Sequence, residues 1–175
     1  ILANPPYSIN QWDRDAFETD KYGRNFLGVP PQGRADYAFL QHIIKSLDPE
    51  TGRCAILFPH GVLFRNEENE MREKLIKSDV VECIIGLAAN LFYNSPMEAC
   101  IMICRMKKCP ERRGQILIIN AVNEVERKNA QSSLKKEHIE HIANAYENYK
   151  DEPEFAKVIT IEDTAKNNYS LSIPL

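Results

Sequence analysis

Apolar residues form two kinds of pattern along the chain. Continuous apolar runs of strand length lie at residues 54–58, 80–85, 99–103 and 115–119, and such runs predict strands buried on both faces. On either side of the first run, apolar residues recur at helical spacing. The first such set follows Asp36, a predicted helix cap, and comprises Phe39, Leu40, Ile43, Ile44 and Leu47. The second set follows Asn66 and comprises Met71, Leu75 and Ile76.

The remaining segments complete this prediction. Residues 1–3 are typical of the end of a buried strand, residues 131–150 of a helix, and residues 157–161 of a short strand. The stretch 4–34 shows little periodicity and contains two Pro-Pro pairs, which predict a long functional loop. Alternating strands and helices predict an α/β fold with a mostly parallel sheet. The last strands lack intervening helices, so antiparallel strands are expected at one end.

Composition is that of an ordinary folded domain. The chain has 175 residues, of which 43% are apolar and 27% charged, and its apolar runs are too short to span a bilayer. The five scattered cysteines form no C-x-x-C pair, which favours a reducing, cytoplasmic location and gives no metal site.

Charge limits the ways in which the chain could bind nucleic acid. The net charge of −3 argues against binding of nucleic acid over the whole protein surface. One local cluster is basic, and it is either a solvated loop or an edge that contacts phosphates. The candidates for contacts with the DNA backbone are Arg105, Lys107, Lys108, Arg112 and Arg113.

The segment Asn4-Pro5-Pro6-Tyr7 carries the candidate chemistry, because it directly follows a predicted buried strand, where α/β proteins bind ligands. An exocyclic amine on an aromatic base is a poor nucleophile. Two acceptors, the Asn4 side-chain carbonyl and the Pro5 backbone carbonyl, could hold its two N–H groups and direct its lone pair. The rings of Pro5 and Pro6 restrict the backbone and so position these acceptors in advance. Tyr7 offers a ring on which a base could stack.

Residues 1–7 (ILANPPY) resemble the catalytic motif of amino-methyltransferases that use S-adenosylmethionine (AdoMet). The longer resemblance is to the modification subunit of type I restriction–modification systems, which methylates adenine N6 in DNA. It rests on residues 28–42 (GVPPQGRADYAFLQH), 52–64 (GRCAILFPHGVLF), 91–94 (LFYN) leading into 99–107, and 168–174 (NYSLSIP), and so covers nearly the whole chain.

This resemblance implies several expectations. The fold would be an incomplete Rossmann-like methyltransferase sheet, with the catalytic-motif half at residues 1–125 and a C-terminal helix and extension at 126–175. Phe92, or its neighbour Tyr93, would help to hold an adenine flipped out of double-stranded DNA. The implied partners are a specificity subunit and a restriction subunit, and no membrane.

One feature of the family is missing from the sequence. None of the seven glycines forms the G-x-G of an AdoMet-binding loop, so Asn4 is the cofactor contact expected here, the rest of that site lies outside this chain, and the fragment alone is expected to be inactive. Two other interpretations stay open. A protein-glutamine N5 methyltransferase uses nearly the same motif, and a non-enzymatic interaction domain could use both Pro-Pro loops for docking.

Overall fold

The computed structural model of the chain describes residues 1–92, 96–128 and 131–173. The strands are β1 (Leu2–Ala3), β2 (Arg53–Pro59), β3 (Val81–Leu87), β4 (Ala99–Arg105), β5 (Gln115–Ala121), β6 (Glu126–Lys128), β7 (Gln131–Ser133) and β8 (Ala156–Thr160). The α-helices are α1 (Arg14–Glu18), α2 (Asp36–Lys45), α3 (Asn69–Lys77), α4 (Lys136–Asn148) and α5 (Ile161–Lys166). Short 3₁₀ helices lie at His60–Leu63, Asn66–Glu68 and Pro110–Arg112.

Six strands form one sheet in the order β1-β2-β4-β3-β5-β8, and β6 and β7 form a separate hairpin. Strands β1, β2, β3 and β5 run in one direction, whereas β4 and β8 run in the other. The predicted α/β class and the predominant strand direction are confirmed. The prediction of antiparallel strands at one end holds for β8, which lies at an edge of the sheet, but is wrong for β4, which lies inside the sheet between β2 and β3. The described residues between β3 and β4 form no crossover helix, and the chain returns antiparallel beside β3.

Most predicted elements agree with the structure. All six predicted strand segments match strands of the large sheet to within about two residues, and both predicted α/β helices, α2 and α3, are present. The predicted helix 131–150 is wrong at its start, because residues 131–133 form β7 and α4 begins at Lys136. Helix α4 ends at Asn148, and the next residue, Tyr149, adopts a left-handed conformation with φ of 50°. Helices α1 and α5 were not predicted.

Helices cover both faces of the sheet. Apolar residues of α2 and α3, among them Tyr37, Leu40 and Leu75, pack on one face in a core that includes Ile56 of β2 and Met102 of β4. On the other face, Ala145 of α4 packs in a second core with Ile85 and Leu117. Every residue of β3 is buried, as expected for a central strand covered on both sides. Within the described ranges, no helix has the length and apolar character needed to cross a bilayer.

A buried carboxylate fastens α4 to the sheet. Glu82 of β3 is only 1% exposed, and its carboxylate accepts a 2.6 Å hydrogen bond from the Tyr146 hydroxyl. Guanidinium nitrogens of Arg105 and Arg112 lie 3.2 and 3.3 Å from the same carboxylate. Arg112 also lies over the Tyr149 ring, 4.3 Å from its centroid. Tyr146 and Tyr149 therefore pack against the sheet, and β3, β4 and α4 share one charge network.

Substitution of Glu82 by glutamine should destabilise the fold. The amide keeps the shape of the side chain but leaves two guanidinium groups without a negative partner. We expect the free energy of unfolding to fall by about 3 kcal/mol, the lower end of the range for a broken buried ion pair, because Arg105 keeps partial contact with solvent. Urea denaturation measures the change. The matched control is Glu73→Gln, which removes an exposed pair with Lys77 and should leave stability almost unchanged. Equal stability of the two variants would contradict this role for Glu82.

Candidate active site

The Asn-Pro-Pro-Tyr segment lies at the carboxyl edge of the sheet. β1 pairs in parallel with β2, with Leu2 opposite Ala55 and Ala3 opposite Ile56, so Asn4 emerges where β2 also ends. Strand β3 points the same way and ends at this edge too. Asn4 is exposed, and its side chain is therefore accessible to a ligand. This is the edge at which open α/β sheets bind ligands.

A cavity of about 690 Å³ brings Asn4 and Phe92 together. Its floor is apolar, with Leu57 of β2 opposite Ile101 of β4 in the sheet register. Leu2, Ala3 and Asn4 form one wall, and Leu91 and Phe92, which follow β3, form another. The predicted catalytic amide and the predicted base-binding aromatic thus line a single cavity although 88 positions separate them in sequence. Tyr93, the neighbouring candidate, lies outside the described residues.

The third wall of this cavity was missed by the sequence analysis. It is formed by Gln131, Ser132, Ser133 and Leu134, from β7 and the residue after it. The backbone N–H of Ser132 donates a 2.9 Å hydrogen bond to the carbonyl of Asn90, which joins the hairpin to the segment that carries Phe92. A polar run such as Gln-Ser-Ser gives little sign of burial or of strand pairing, so the sequence offered no clear signal for it.

Tyr7 is placed differently from Asn4. It is partly buried and is not among the residues that line the cavity. Burial raises the pKa of its hydroxyl to about 12, and the nearby Cys100 and Asp36 act in the same direction. The hydroxyl therefore stays protonated at neutral pH and does not serve as a base there. The stacking role of Tyr7 stays a prediction.

Backbone and side-chain hydrogen bonds tie the loop after Tyr7 to the second Pro-Pro loop. The indole N–H of Trp12 donates to the carbonyl of Gln32 at 2.9 Å, and the Gln32 amide donates back to the carbonyls of Asn10 and Trp12 at 3.0 and 3.1 Å. The backbone N–H of Ala35 donates to the carbonyl of Ile9 at 3.1 Å. These bonds explain why residues 4–34 are ordered with little regular secondary structure.

Asp36 departs from its predicted role as a helix cap. It is the first residue of α2 and is 1% exposed, and Ala35 occupies the capping position. Its carboxylate accepts hydrogen bonds from the Ser8 N–H at 2.7 Å, the Ser8 hydroxyl at 3.3 Å and the Arg65 guanidinium at 2.8 Å. The residue therefore links the loop after the catalytic motif to the segment after β2. Asp36 lies within residues 28–42, one of the segments that resemble type I modification subunits. This resemblance was the sequence signal that Asp36 has a role beyond helix capping.

A second buried carboxylate lies beside this one. Glu68 is fully buried, and among the described residues neither of its oxygens accepts a hydrogen bond. Its ion-pair contact with the Arg65 guanidinium is longer, at 3.5 Å. Burial raises the pKa of Glu68 to about 7, and Asp36 adds to this while Arg65 opposes it. Glu68 therefore changes charge near neutral pH.

The basic cluster is largely used inside the fold. Lys108 is 4% exposed and donates to the Asp79 carboxylate and the Gln115 carbonyl, each at 2.7 Å, so its prediction as a DNA contact is wrong. Arg105 and Arg112 pair with Glu82, and Lys107 pairs with Glu50. Only Arg113 of the five is exposed with no ion pair among the described residues.

The position of the cluster bears on its predicted contacts with the DNA backbone. Arg105 lies opposite Arg53, at the amino end of β2, whereas Asn4 lies at the carboxyl edge of the sheet. The cluster and the catalytic motif are therefore at opposite edges. In the described part of the chain, no group of three or more His, Cys, Asp or Glu side chains could hold a metal ion.

Comparison with known proteins identifies the family. The sequence model of the N-6 DNA methylase family matches residues 1–175. The chain belongs to this family. The methylase subunit of the type I restriction enzyme MjaVIII from Methanocaldococcus jannaschii is 35% identical over 100% of the chain, and that of HindI from Haemophilus influenzae is 32% identical over 98%.

The fold matches this N-6 DNA methylase assignment. A crystal structure of a type I restriction–modification methyltransferase subunit from Streptococcus thermophilus superposes with a TM-score of 0.89 at 35% identity, over 99% of the chain. The chain spans 31% and 40% of the two curated relatives and 36% of the solved one. The resemblance to type I modification subunits is therefore confirmed, and the chain corresponds to about a third of such a subunit.

The buried Glu68 should make stability depend on pH. In the folded protein Glu68 keeps its proton up to about pH 7, whereas in the unfolded chain it releases it near pH 4.5, so the residue costs stability increasingly between these values. We expect Glu68→Gln to leave the free energy of unfolding unchanged near pH 4 and to raise it by about 3 kcal/mol at pH 8, at about 1.4 kcal/mol per pKa unit.

Urea denaturation at a series of pH values measures this effect. The matched control is Glu67→Gln, because Glu67 is the exposed neighbour of Glu68 and should show no gain that grows with pH. A gain of the same size at pH 4 and pH 8 would mean that Glu68 is charged throughout, against this prediction.

Proposed function

We propose that the chain is the catalytic-motif part of a DNA adenine-N6 methyltransferase, which acts as the modification subunit of a type I restriction–modification system. The observation that carries this proposal is the shared cavity, where Asn4 at the end of β1 and Phe92 after β3 face the same space. Membership of the N-6 DNA methylase family supports the reaction class, and the similarity to type I methylase subunits supports the system.

Asn4 and Pro5 would activate the adenine amine by hydrogen bonding. The side-chain carbonyl of Asn4 accepts one N–H of the amine, and the backbone carbonyl of Pro5 accepts the other. This pulls the nitrogen toward a tetrahedral form with its lone pair free to attack. Pro5 and Pro6 limit the backbone before substrate binds, so little ordering is needed on binding. A preorganised dipole of this kind contributes about 2.7–4 kcal/mol to transition-state stabilisation.

An aromatic surface would hold the base outside the helix. A base inside a duplex cannot reach Asn4, so it must be flipped out at a cost of a few kcal/mol. Stacking on Phe92 would offset roughly 1–3 kcal/mol of that cost. Tyr7 is the second stacking candidate, since it follows Asn4 by three residues and is only partly buried.

AdoMet is the proposed methyl donor, and when bound it supplies an electrophilic methyl group. The exposed Asn4 at the rim of an apolar cavity fits a position beside that group. The chain spans about a third of its curated relatives, and we propose that the rest of the AdoMet site comes from other parts of the full-length protein. On this basis the 175-residue fragment would be inactive by itself.

The proposed partners follow from the type I assignment. They are double-stranded DNA, a specificity subunit that reads the sequence, and a restriction subunit, all in the cytoplasm. Of the five basic residues proposed to contact the DNA backbone, Arg113 is retained, because its charge has no ion pair among the described residues. It would contact a phosphate remote from the flipped base, since the cluster and the catalytic motif lie at opposite edges of the sheet. The specificity subunit would then supply most of the contacts with DNA.

The two other interpretations predict different outcomes. A protein-glutamine methyltransferase would use Asn4 in the same way on a different amide, and an interaction domain would not use Asn4 at all. The family and the named relatives favour the DNA enzyme over both. A direct assay of the methylated product separates the three.

Replacement of Asn4 by alanine should abolish most methyl transfer. The assay follows radiolabel from AdoMet into unmethylated DNA, with the full-length parent protein and its specificity subunit. We expect kcat to fall about a hundredfold or more, because one preorganised acceptor is lost. The control is Asn10→Ala, an exposed asparagine of the same loop, which should keep full activity. Label on a protein glutamine would support the glutamine enzyme, and no label anywhere would support the interaction domain.

Replacement of Phe92 by leucine should weaken the hold on the flipped base. Leucine keeps the apolar packing beside β3 but removes the ring, so kcat/KM for DNA should fall roughly tenfold, within the energy of one stacking contact. Fluorescence of 2-aminopurine at the target position reports the flipped base directly. Phe26→Leu, on an exposed loop phenylalanine, is the control. Equal kcat/KM in both variants would remove Phe92 from the site.

A further inference from the structure

Ser8 has an unusual backbone conformation directly after the catalytic motif. Its φ is +48°, in the left-handed region that residues other than glycine seldom adopt. Such a conformation costs of the order of 1–3 kcal/mol and persists where surrounding contacts hold it. The contacts here are the two hydrogen bonds from the Ser8 N–H and hydroxyl to the two carboxylate oxygens of Asp36. One buried side chain thus holds the backbone turn that ends Asn-Pro-Pro-Tyr.

Asp36 is itself held rigidly. It begins the ten-residue helix α2, which packs in the core through Tyr37, Leu40 and Ile44. On its other side, the Arg65 guanidinium donates to it at 2.8 Å. Arg65 lies closely over Gly61, where a Cβ atom would come within 2.4 Å of its Nε, so the residue is confined between α2 and the segment after β2.

The geometry of this contact suits positioning. A carboxylate accepts three donors here, and a neutral amide could accept them only with one oxygen while its NH₂ group faced a donor. A further hydrogen bond, from the Ala35 N–H to the Ile9 carbonyl, holds the next residue of the loop. Together with the bonds between Ser8 and Asp36, it connects the start of α2 to the residues that follow Tyr7.

We propose that Asp36, with Arg65 as its counter-ion, is a positioning residue for methyl transfer, which sets the placement of Asn4, Pro5 and Tyr7 through Ser8. Asp36 touches neither substrate nor AdoMet in this role. It acts on the reaction because the acceptor positions at Asn4 and Pro5 depend on where the chain leaves the motif. This inference rests on the proposed function only in its effect on turnover, since the effect on the loop is independent of the reaction.

The test uses the full-length protein with its specificity subunit and compares Asp36→Asn with a matched control, Asp48→Asn. Asp48 accepts the same kinds of bond, from the N–H groups of Glu50 and Thr51 and from the Thr51 hydroxyl, but lies after the far end of α2. We expect Asp36→Asn to lower kcat at least about tenfold, because small misplacements of reacting groups have effects of this size. KM for AdoMet and affinity for DNA should stay within about twofold of the control.

Hydrogen exchange supplies a readout that does not depend on catalysis. In a peptide that covers residues 4–12, two prolines lack amide hydrogens, so the Ser8 amide contributes much of the protection. Exchange in this peptide should become several-fold faster in Asp36→Asn and stay unchanged in Asp48→Asn, whereas peptides remote from residue 36 should exchange at the same rate in both variants. Should the wild-type protein transfer no methyl group to DNA, the proposed function fails and exchange alone decides the positioning role.

A milder variant keeps the test decisive if Asp36→Asn does not fold. Ser8→Ala removes only the hydroxyl contact, the longer of the two bonds, and should lower kcat about two- to fivefold, as expected for one modest hydrogen bond. Exchange and kcat equal to the control in both variants would overturn the proposal. So would a loss of kcat that comes with equally faster exchange throughout the protein, since Asp36 would then be purely structural.

Discussion

Burial of β3 on both faces is the constraint from which most of the architecture follows. A strand with no exposed residue needs a layer of helices on each side, and these are α2 and α3 on one face and α4 on the other. It also places Glu82 where its charge must be paired, which draws in Arg105, Arg112 and Tyr146 and fixes α4. Because β3 ends at the same edge as β1, its continuation brings Phe92 to the cavity that Asn4 lines.

The parts of the fold that could be predicted from sequence are those whose signal is local. Continuous apolar runs located the strands of the large sheet, and helical spacing located α2 and α3. The hairpin of β6 and β7 could not be found in this way, because Gln131, Ser132 and Ser133 are polar and their pairing depends on a tertiary bond from Ser132 to Asn90. The same limit applies to the basic cluster. A count of charges does not show that Glu82 and Asp79, distant in sequence, neutralise Arg112 and Lys108.

The residues of the candidate site also fall into those that local sequence identifies and those that it does not. Asn4 and Pro5 could be assigned from four adjacent residues, since the chemistry of that motif is local. The assignment of Phe92 needed the family resemblance, because an aromatic residue after a strand is ordinarily a packing residue. Its position in the cavity depends on the strand order, which inserts β4 between β2 and β3. No apolar pattern in the sequence specifies that order, because strand order depends on long-range pairing and apolar patterns are local signals.

Arg65 connects the two buried carboxylates near the motif, and its unequal division between them has a physical reason. Asp36 receives three donors, including Arg65 at 2.8 Å, whereas Glu68 has only the longer 3.5 Å contact with the same guanidinium. Burial without a hydrogen-bond donor raises the pKa of Glu68 to about 7; the negative charge of Asp36 adds to this effect and Arg65 opposes it. Protonation of Glu68 at lower pH leaves Arg65 to Asp36 alone. The carboxylate that holds Ser8 is thus the ion-pair partner that Arg65 contacts more closely.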